Sequence, residues 1–411
     1  MSSKSAAAFS LLTAQAVRER AARMLQLGEA DALPHFRIVP SRLDAVADLV
    51  IAVTRKNYPT LAVPFHSRWR HFCVDGEDRY AAIEKRAGAP DAAARARAAF
   101  DLAIVSVLLD AGAGPQWRYR DPATGKLFGR SEGLALASLD MFARGAFSAS
   151  CGDPLRADAA VLAGLGEAAL RQGFQVSDGN PLLGLEGRAA LLRALGQRVA
   201  ALPDVFGRAD APRPGGLFDH LAASAEAGAI PAPQVLREIL LKLGPIWPSR
   251  LTLDGVPLGD CWKHPSIVTA DATSGLVPLH KLSQWLAYSL IEPLQQAGFA
   301  VTDLDGLTGL AEYRNGGLFI DGGVLEFRDP AAAGRAHDVG SPLVVEWRAL
   351  TVALLDRLAL VMRAKLKLDA AALPLAKVLE GGSWAAGRAL ARERRADASP
   401  PIKVLSDGTV F

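Results

Sequence analysis

The stretch from Leu307 to Leu325 constrains this chain more than any other. It reads LTGLAEYRNGGLFIDGGVL. Glu312, Tyr313, Arg314 and Asn315 stand directly before Gly316-Gly317, and Asp321 directly before Gly322-Gly323. Glycine pairs permit close backbone approach and positive φ. Charged groups between apolar flanks are costly to bury unless they are paired or used. The segment therefore reads as the wall of a site rather than as plain core.

The rest of the chain sets the context for that wall. Its 411 residues suffice for a sizeable core, and no composition shift divides it, so a single domain over 1–411 is expected. Half of the residues are hydrophobic, dominated by Ala and Leu, which favours a mainly α fold. Lys and Arg number 46 against 43 Asp and Glu. A net charge of +3 makes no case for a nucleic-acid partner, which calls for a concentrated basic face. Cys73, Cys151 and Cys261 lie far apart with no CxxC pair, so neither a zinc ribbon nor a disulfide framework is indicated. Without a long apolar run or a convincing leader, the expectation is a cytoplasmic protein with no membrane partner.

Periodicity predicts helices over 7–28, 41–56, 91–111, 131–144, 156–172, 184–201, 278–297, 341–366 and 383–395. Ser41 with Asp44 reads as a partial capping box, and Ser341-Pro342 as a helix entry with Pro at its first position. The stretch 250–258 reads as a small hairpin turning at Asp254-Gly255. Residues 203–216, rich in Pro and Gly, read as a long loop, and 396–411 as an extended tail.

Two further regions carry candidate chemistry. On the predicted helix 278–297, Lys281, Gln284, Trp285 and Tyr288 share one face beside a leucine stripe. Lys281 is either a partly buried functional ammonium or a lysine snorkelling past core aromatics. Phe65–Phe72 packs two His, two Arg and three aromatics into eight residues. Arg68 and Arg70 offer planar forks for phosphate, and Trp69 an aromatic face; a surface turn with an aromatic anchor is the plainer alternative. Glu312 is either a charge stabiliser or a salt-bridged structural residue, and Asp321 either lines the site or simply ends a turn. The seven histidines show no metal-ligand spacing, so no metal and no cofactor are expected.

Four motifs together resemble the uracil-catabolism protein family of bacteria and fungi. They are SRWRHF (67–72), NPLLGLEGRAALLRALG (180–196), LVPLHKLSQWLAYSLIEPL (276–294) and LTGLAEYRNGGLFIDGGVL (307–325). The ending SDGTVF (406–411) fits as well. The motif order is more distantly similar to queuosine-nucleotide glycosylases, whose fold is similar to helix-hairpin-helix DNA glycosylases. There a lysine lies in a segment like FYKRAQ and an aspartate in one like FADYR. Here VPLHKLSQ supplies Lys281, and LAEYR places Glu312 where that family has Asp.

The resemblance implies an enzyme of pyrimidine degradation, an N-glycosidic hydrolase of the same fold with a small β-hairpin. Its implied substrate is a small phosphorylated ribosyl ureide, ribosylurea 5-phosphate, split to urea and ribose 5-phosphate. It also implies Glu312 and Lys281 as the catalytic pair. Trp285 and Tyr313 would line the pocket, and Arg68, Arg70 and Arg314 are the phosphate candidates. A ureide amide hydrolase and a non-catalytic nucleotide-binding protein remain open.

Overall fold

The computed structural model describes residues 2–110, 112–207, 211–247 and 250–405. Among the described residues the fold is mainly helical, with small paired strands and no barrel. It divides into two compact units. The described residues of the first are 2–66, 250–284 and 303–405; those of the second are 67–110, 112–207, 211–247 and 285–302. The helix Lys281–Gln296 contributes its first turn to the first unit and its remainder to the second.

The first unit is organised around the helix Pro342–Leu366. Every residue from Leu343 to Leu355 is buried. A helix buried on all sides must be enclosed by others, and its few polar members, such as Glu346 and Arg348, must find partners there. Here Ala14–Glu29, Leu43–Asn57 and Tyr313–Asp321 pack on it. Pro342 opens it, where a missing N–H costs nothing. Lys367 closes it at φ 56°, a left-handed cap taken without glycine. The tail reaches this unit too, since Lys403–Leu405 pairs in parallel with Ala336–Asp338. Residues 406–411, with the SDGTVF motif, lie outside the described residues.

The second unit is built on Ala92–Leu108, Arg130–Ala143 and Leu185–Ala200. Asp91 caps the first of these by accepting the Ala94 N–H at 2.7 Å. Each meets its expectation within a few residues. The hairpin does as well: Thr252–Leu253 pairs with Val256–Pro257, and both turn residues, Asp254 and Gly255, take positive φ.

Other elements differ from expectation for local reasons. The helix expected over 7–28 is two, Ser3–Ser10 and Ala14–Glu29, because the Thr13 hydroxyl accepts the Ala16 N–H and starts a new helix. Ser41 does not cap; it lies in a tight turn, Pro40–Arg42, and the helix begins at Leu43. The helix expected over 156–172 breaks between Ala163 and Glu167, where Gly164 and Gly166 fall. Within 203–216, Pro203–Phe206 makes one helical turn, and residues 208–210 lie outside those described.

Gly316 and Gly317 sit inside the helix Tyr313–Asp321 at ordinary helical φ, so conformational freedom is not their role. Gly316 is there for close approach. A Cβ on it would lie 2.6 Å from the buried indole of Trp347. A Cβ on Gly317 would come no nearer than 3.2 Å to any neighbour, the ring of Pro401. Alanine gains about 1 kcal/mol of helix propensity over glycine, whereas overpacking costs about 1–3 kcal/mol. Gly316→Ala should therefore lower the thermal midpoint and Gly317→Ala should leave it unchanged or raise it, as read by calorimetry.

Candidate functional site

Glu312 is the N-cap of the helix Tyr313–Asp321. Its Oε2 accepts the Arg314 N–H at 2.8 Å, and its Oε1 the Asn315 N–H at 2.5 Å. The sequence offered a salt bridge as the structural alternative; the structure supplies a cap instead. These two bonds satisfy helix donors that would otherwise be orphaned and set the carboxylate at the positive end of the helix. Glu312 is only 7% exposed. Burial raises its pKa above the ordinary carboxylate value. The two N–H groups, then the charges of Lys281 and His66, pull it part of the way back. The first unit thus brings Lys281 and Glu312 within electrostatic reach of each other.

Lys281 opens its helix, and a buried ion pair fixes that opening. Asp260 Oδ2 accepts the Lys281 N–H at 2.9 Å, and the Asp260 carbonyl accepts those of Leu279 and His280. Arg348, from the central helix, grips Asp260 with two bonds of 2.8 Å each. The same guanidinium donates through Nε to the carbonyl of Ala311, next to Glu312. Gln284 adds a second tie to this strand. It accepts the Thr308 N–H at 2.9 Å and donates back to the Thr308 hydroxyl. His280 is buried on the other side, bonded to the Leu11 carbonyl at 2.9 Å.

His66 and Glu380 complete the group. His66 Nδ1 lies 2.8 Å from Glu380 Oε2, and the Tyr58 hydroxyl donates to Glu380 Oε1 at 3.0 Å. Glu380 belongs to a widened helical turn, Leu379–Ser383, a rare geometry concentrated at functional sites. The same turn carries Ser383, whose hydroxyl donates to Asn315 Oδ1 at 2.8 Å. The sequence reading passed over Asp260, Arg348 and Glu380. For Glu380 a signal existed, since it too stands directly before a glycine pair, Gly381-Gly382.

The other candidates are occupied as follows. Asp321 is held by Arg395 in two bonds of 2.8 and 2.5 Å. Arg314 donates to the Ala398 carbonyl at 2.9 Å, and its guanidinium lies 4.9 Å from the centre of the half-buried Tyr313 ring. In the second unit, Arg68 is fully buried, 3.0 Å from Asp110 and 2.8 Å from the Ser106 hydroxyl. Arg70 bonds Glu292 at 2.6 Å. Trp69 donates to the Ser289 carbonyl at 2.7 Å. That carbonyl is available because Pro293, four residues on, has no N–H to give it. Trp285 is buried, its ring 5.9 Å from that of His71. The SRWRHF motif thus docks onto the Trp285–Gln296 part of the helix, with both arginines committed to carboxylates. Among the described residues, no three His, Cys, Asp or Glu side chains stand close enough to hold a metal ion.

Burial alone would raise the Asp260 pKa; Arg348 and the donors around it outweigh burial and push it down to about 2 from 3.8. The folded pKa lies below the unfolded one. The pair's contribution is therefore complete above the unfolded pKa and lost as pH falls through about 2. It amounts to roughly 2 kcal/mol on the usual conversion. Asp260→Asn should remove this acid dependence from urea-melt stability and cost about 3–5 kcal/mol at neutral pH, because the buried Arg348 loses the carboxylate that faces its two terminal nitrogens. Replacing both partners by apolar residues should cost less than Asp260→Asn alone.

This geometry belongs to a chain with relatives over nearly its full length. It is 38% identical over 409 residues to Protein urg3 of Schizosaccharomyces pombe, covering 98% of each chain. It is also 38% identical over 409 residues to Uracil catabolism protein 4 of Lachancea kluyveri, covering 92% of each. No helix among the described residues is long and apolar enough to cross a membrane. Residues 10–411 match the model of the protein family of unknown function DUF1688, and the chain belongs to that family.

Proposed function

We propose that this chain acts in uracil catabolism as an N-glycosidic hydrolase, splitting a phosphorylated ribosyl ureide. Ribosylurea 5-phosphate, giving urea and ribose 5-phosphate, fits the reading best. The pathway is supported by the name of the Lachancea relative. The observation that carries the chemistry is Glu312, a buried carboxylate anchored on two backbone N–H groups and within electrostatic reach of Lys281 and His66.

Breaking a C1′–N bond develops oxocarbenium character on the sugar. A fixed carboxylate stabilises that charge without reorganising and can take a proton from the attacking water. Each Glu312 oxygen accepts one backbone bond and retains a second acceptor direction for water or sugar. The ammonium of Lys281 favours the ionised form of Glu312 and can hydrogen-bond the substrate. Of the arginines, Arg314 at the start of the same helix is the phosphate candidate nearest Glu312 in sequence. Arg68 is enclosed with Asp110 and takes no part in this reading.

Purified protein incubated with ribosylurea 5-phosphate should release urea and reducing sugar in equal amounts, and none from uridine monophosphate. Glu312→Gln should lower kcat by about 10²–10³-fold, and Lys281→Met should also lower it. Because burial raises the Glu312 pKa, the acid limb of the kcat/KM profile should lie above the ordinary carboxylate pKa of 4.5. The limb should vanish in Glu312→Gln. Full activity in both variants would exclude the proposal. Urea without free ribose phosphate would favour an amide hydrolase acting on a ureide, and tight binding without turnover a nucleotide-binding protein.

A further inference from the structure

We infer that His66, oriented by Glu380, is the acid that protonates the departing nitrogen; this rests on the glycosidic-cleavage reading above. Urea is a poor leaving group as an anion, so its nitrogen must receive a proton as the bond breaks. His66 and Glu312 are held in one hydrogen-bonded frame. His66 Nδ1 faces Glu380, and its backbone N–H donates to the Ala376 carbonyl at 3.0 Å, so both ring and backbone are fixed. Glu380 and Ser383 share the turn Leu379–Ser383. Ser383 bonds Asn315, and the Asn315 N–H bonds Glu312. One turn therefore sets the histidine on one side and the carboxylate on the other.

In this scheme Glu380 accepts the Nδ1 proton and Nε2 exchanges a proton with substrate. Glu380 touches no substrate in this scheme; it is a positioning residue that holds the ring and stabilises its charge. Tyr58 fixes Glu380 in turn. Glu380 contacts the His66 ring and Tyr58 holds Glu380 from its other oxygen; Glu312 lies within electrostatic reach of both His66 and Lys281. Glu380 gives the His66 ring a carboxylate partner on Nδ1, the arrangement that orients an acid–base imidazole; Lys281 is left the role of a charge acting on Glu312.

The step balances. As the C1′–N bond breaks, its electron pair moves onto nitrogen, which takes the Nε2 proton of the His66 imidazolium. Water forms the new C1′–O bond and gives a proton to Glu312. Exchange through solvent then returns a proton to His66 and removes one from Glu312. The net change is addition of one water across the bond.

The test compares leaving groups. Wild-type, His66→Gln and Glu380→Gln proteins are assayed on ribosylurea 5-phosphate and on ribosyl fluoride 5-phosphate, whose fluoride departs without a proton. His66→Gln should lose on the order of 10²–10⁴-fold in kcat on the urea substrate and less than about tenfold on the fluoride. Glu380→Gln should keep KM and shift the basic limb of the kcat/KM profile to lower pH. Equal losses on both substrates, or no loss on either, would overturn the assignment of His66. Should His66→Gln not fold, the Glu380→Gln profile decides, and an unmoved basic limb overturns it. A wild-type protein that turns over neither substrate removes the glycosidic reading itself and His66 with it.

Discussion

The Asp260–Arg348 ion pair is the interaction on which the rest of the candidate site depends. Arg348 projects from the most enclosed helix of the first unit and is 1% exposed. It reaches the start of the Lys281 helix through Asp260 and the entry to the Glu312 helix through Ala311. A single guanidinium thereby sets the relation between an ammonium and a carboxylate that belong to different helices. A neutral side chain could hold one of these groups. The planar five-donor fork of arginine can hold both at once.

Glu312 combines two roles usually treated as alternatives. As an N-cap it stabilises its helix, a contribution of typically ~1 kcal/mol. As a buried carboxylate within reach of positive charge it has the setting that the proposed chemistry requires. The cap orients the carboxylate, and burial makes a fixed carboxylate count for more at a developing cation than it would in water. The glycines serve the same end. Gly316 lets this helix lie against Trp347, which leaves no slack for the cap to shift.

Much of the fold was legible because helical periodicity is strong and local. The helices from Ala92, Arg130, Leu185 and Pro342 follow directly from apolar spacing and their entry residues. The breaks at Thr13 and at Gly164–Gly166 were hidden because apolar spacing continues across them, while a hydroxyl or a glycine decides the backbone. Glu312 and Lys281 drew attention through their local company, a glycine pair and an aromatic stripe. Asp260 had no such company. Its meaning lies in Arg348, 88 residues away, and no local spacing reveals a pairing that distant. Glu380 shared the carboxylate-before-glycines pattern, but its partner His66 lies 314 residues earlier, read there as part of an aromatic segment. The arginines of SRWRHF looked suited to phosphate by type; only the fold shows that each already has a carboxylate partner, Asp110 for Arg68 and Glu292 for Arg70.

The proposed hydrolysis has water attack the sugar carbon, with Glu312 taking its proton. The most direct measurement is turnover of ribosylurea 5-phosphate in ¹⁸O-labelled water, with the products quenched quickly and read by mass spectrometry and ¹³C NMR. The account predicts label on the C1 hydroxyl of ribose 5-phosphate and none in urea. Label in the carbonyl-derived product, with the C1′–N bond intact, would contradict it.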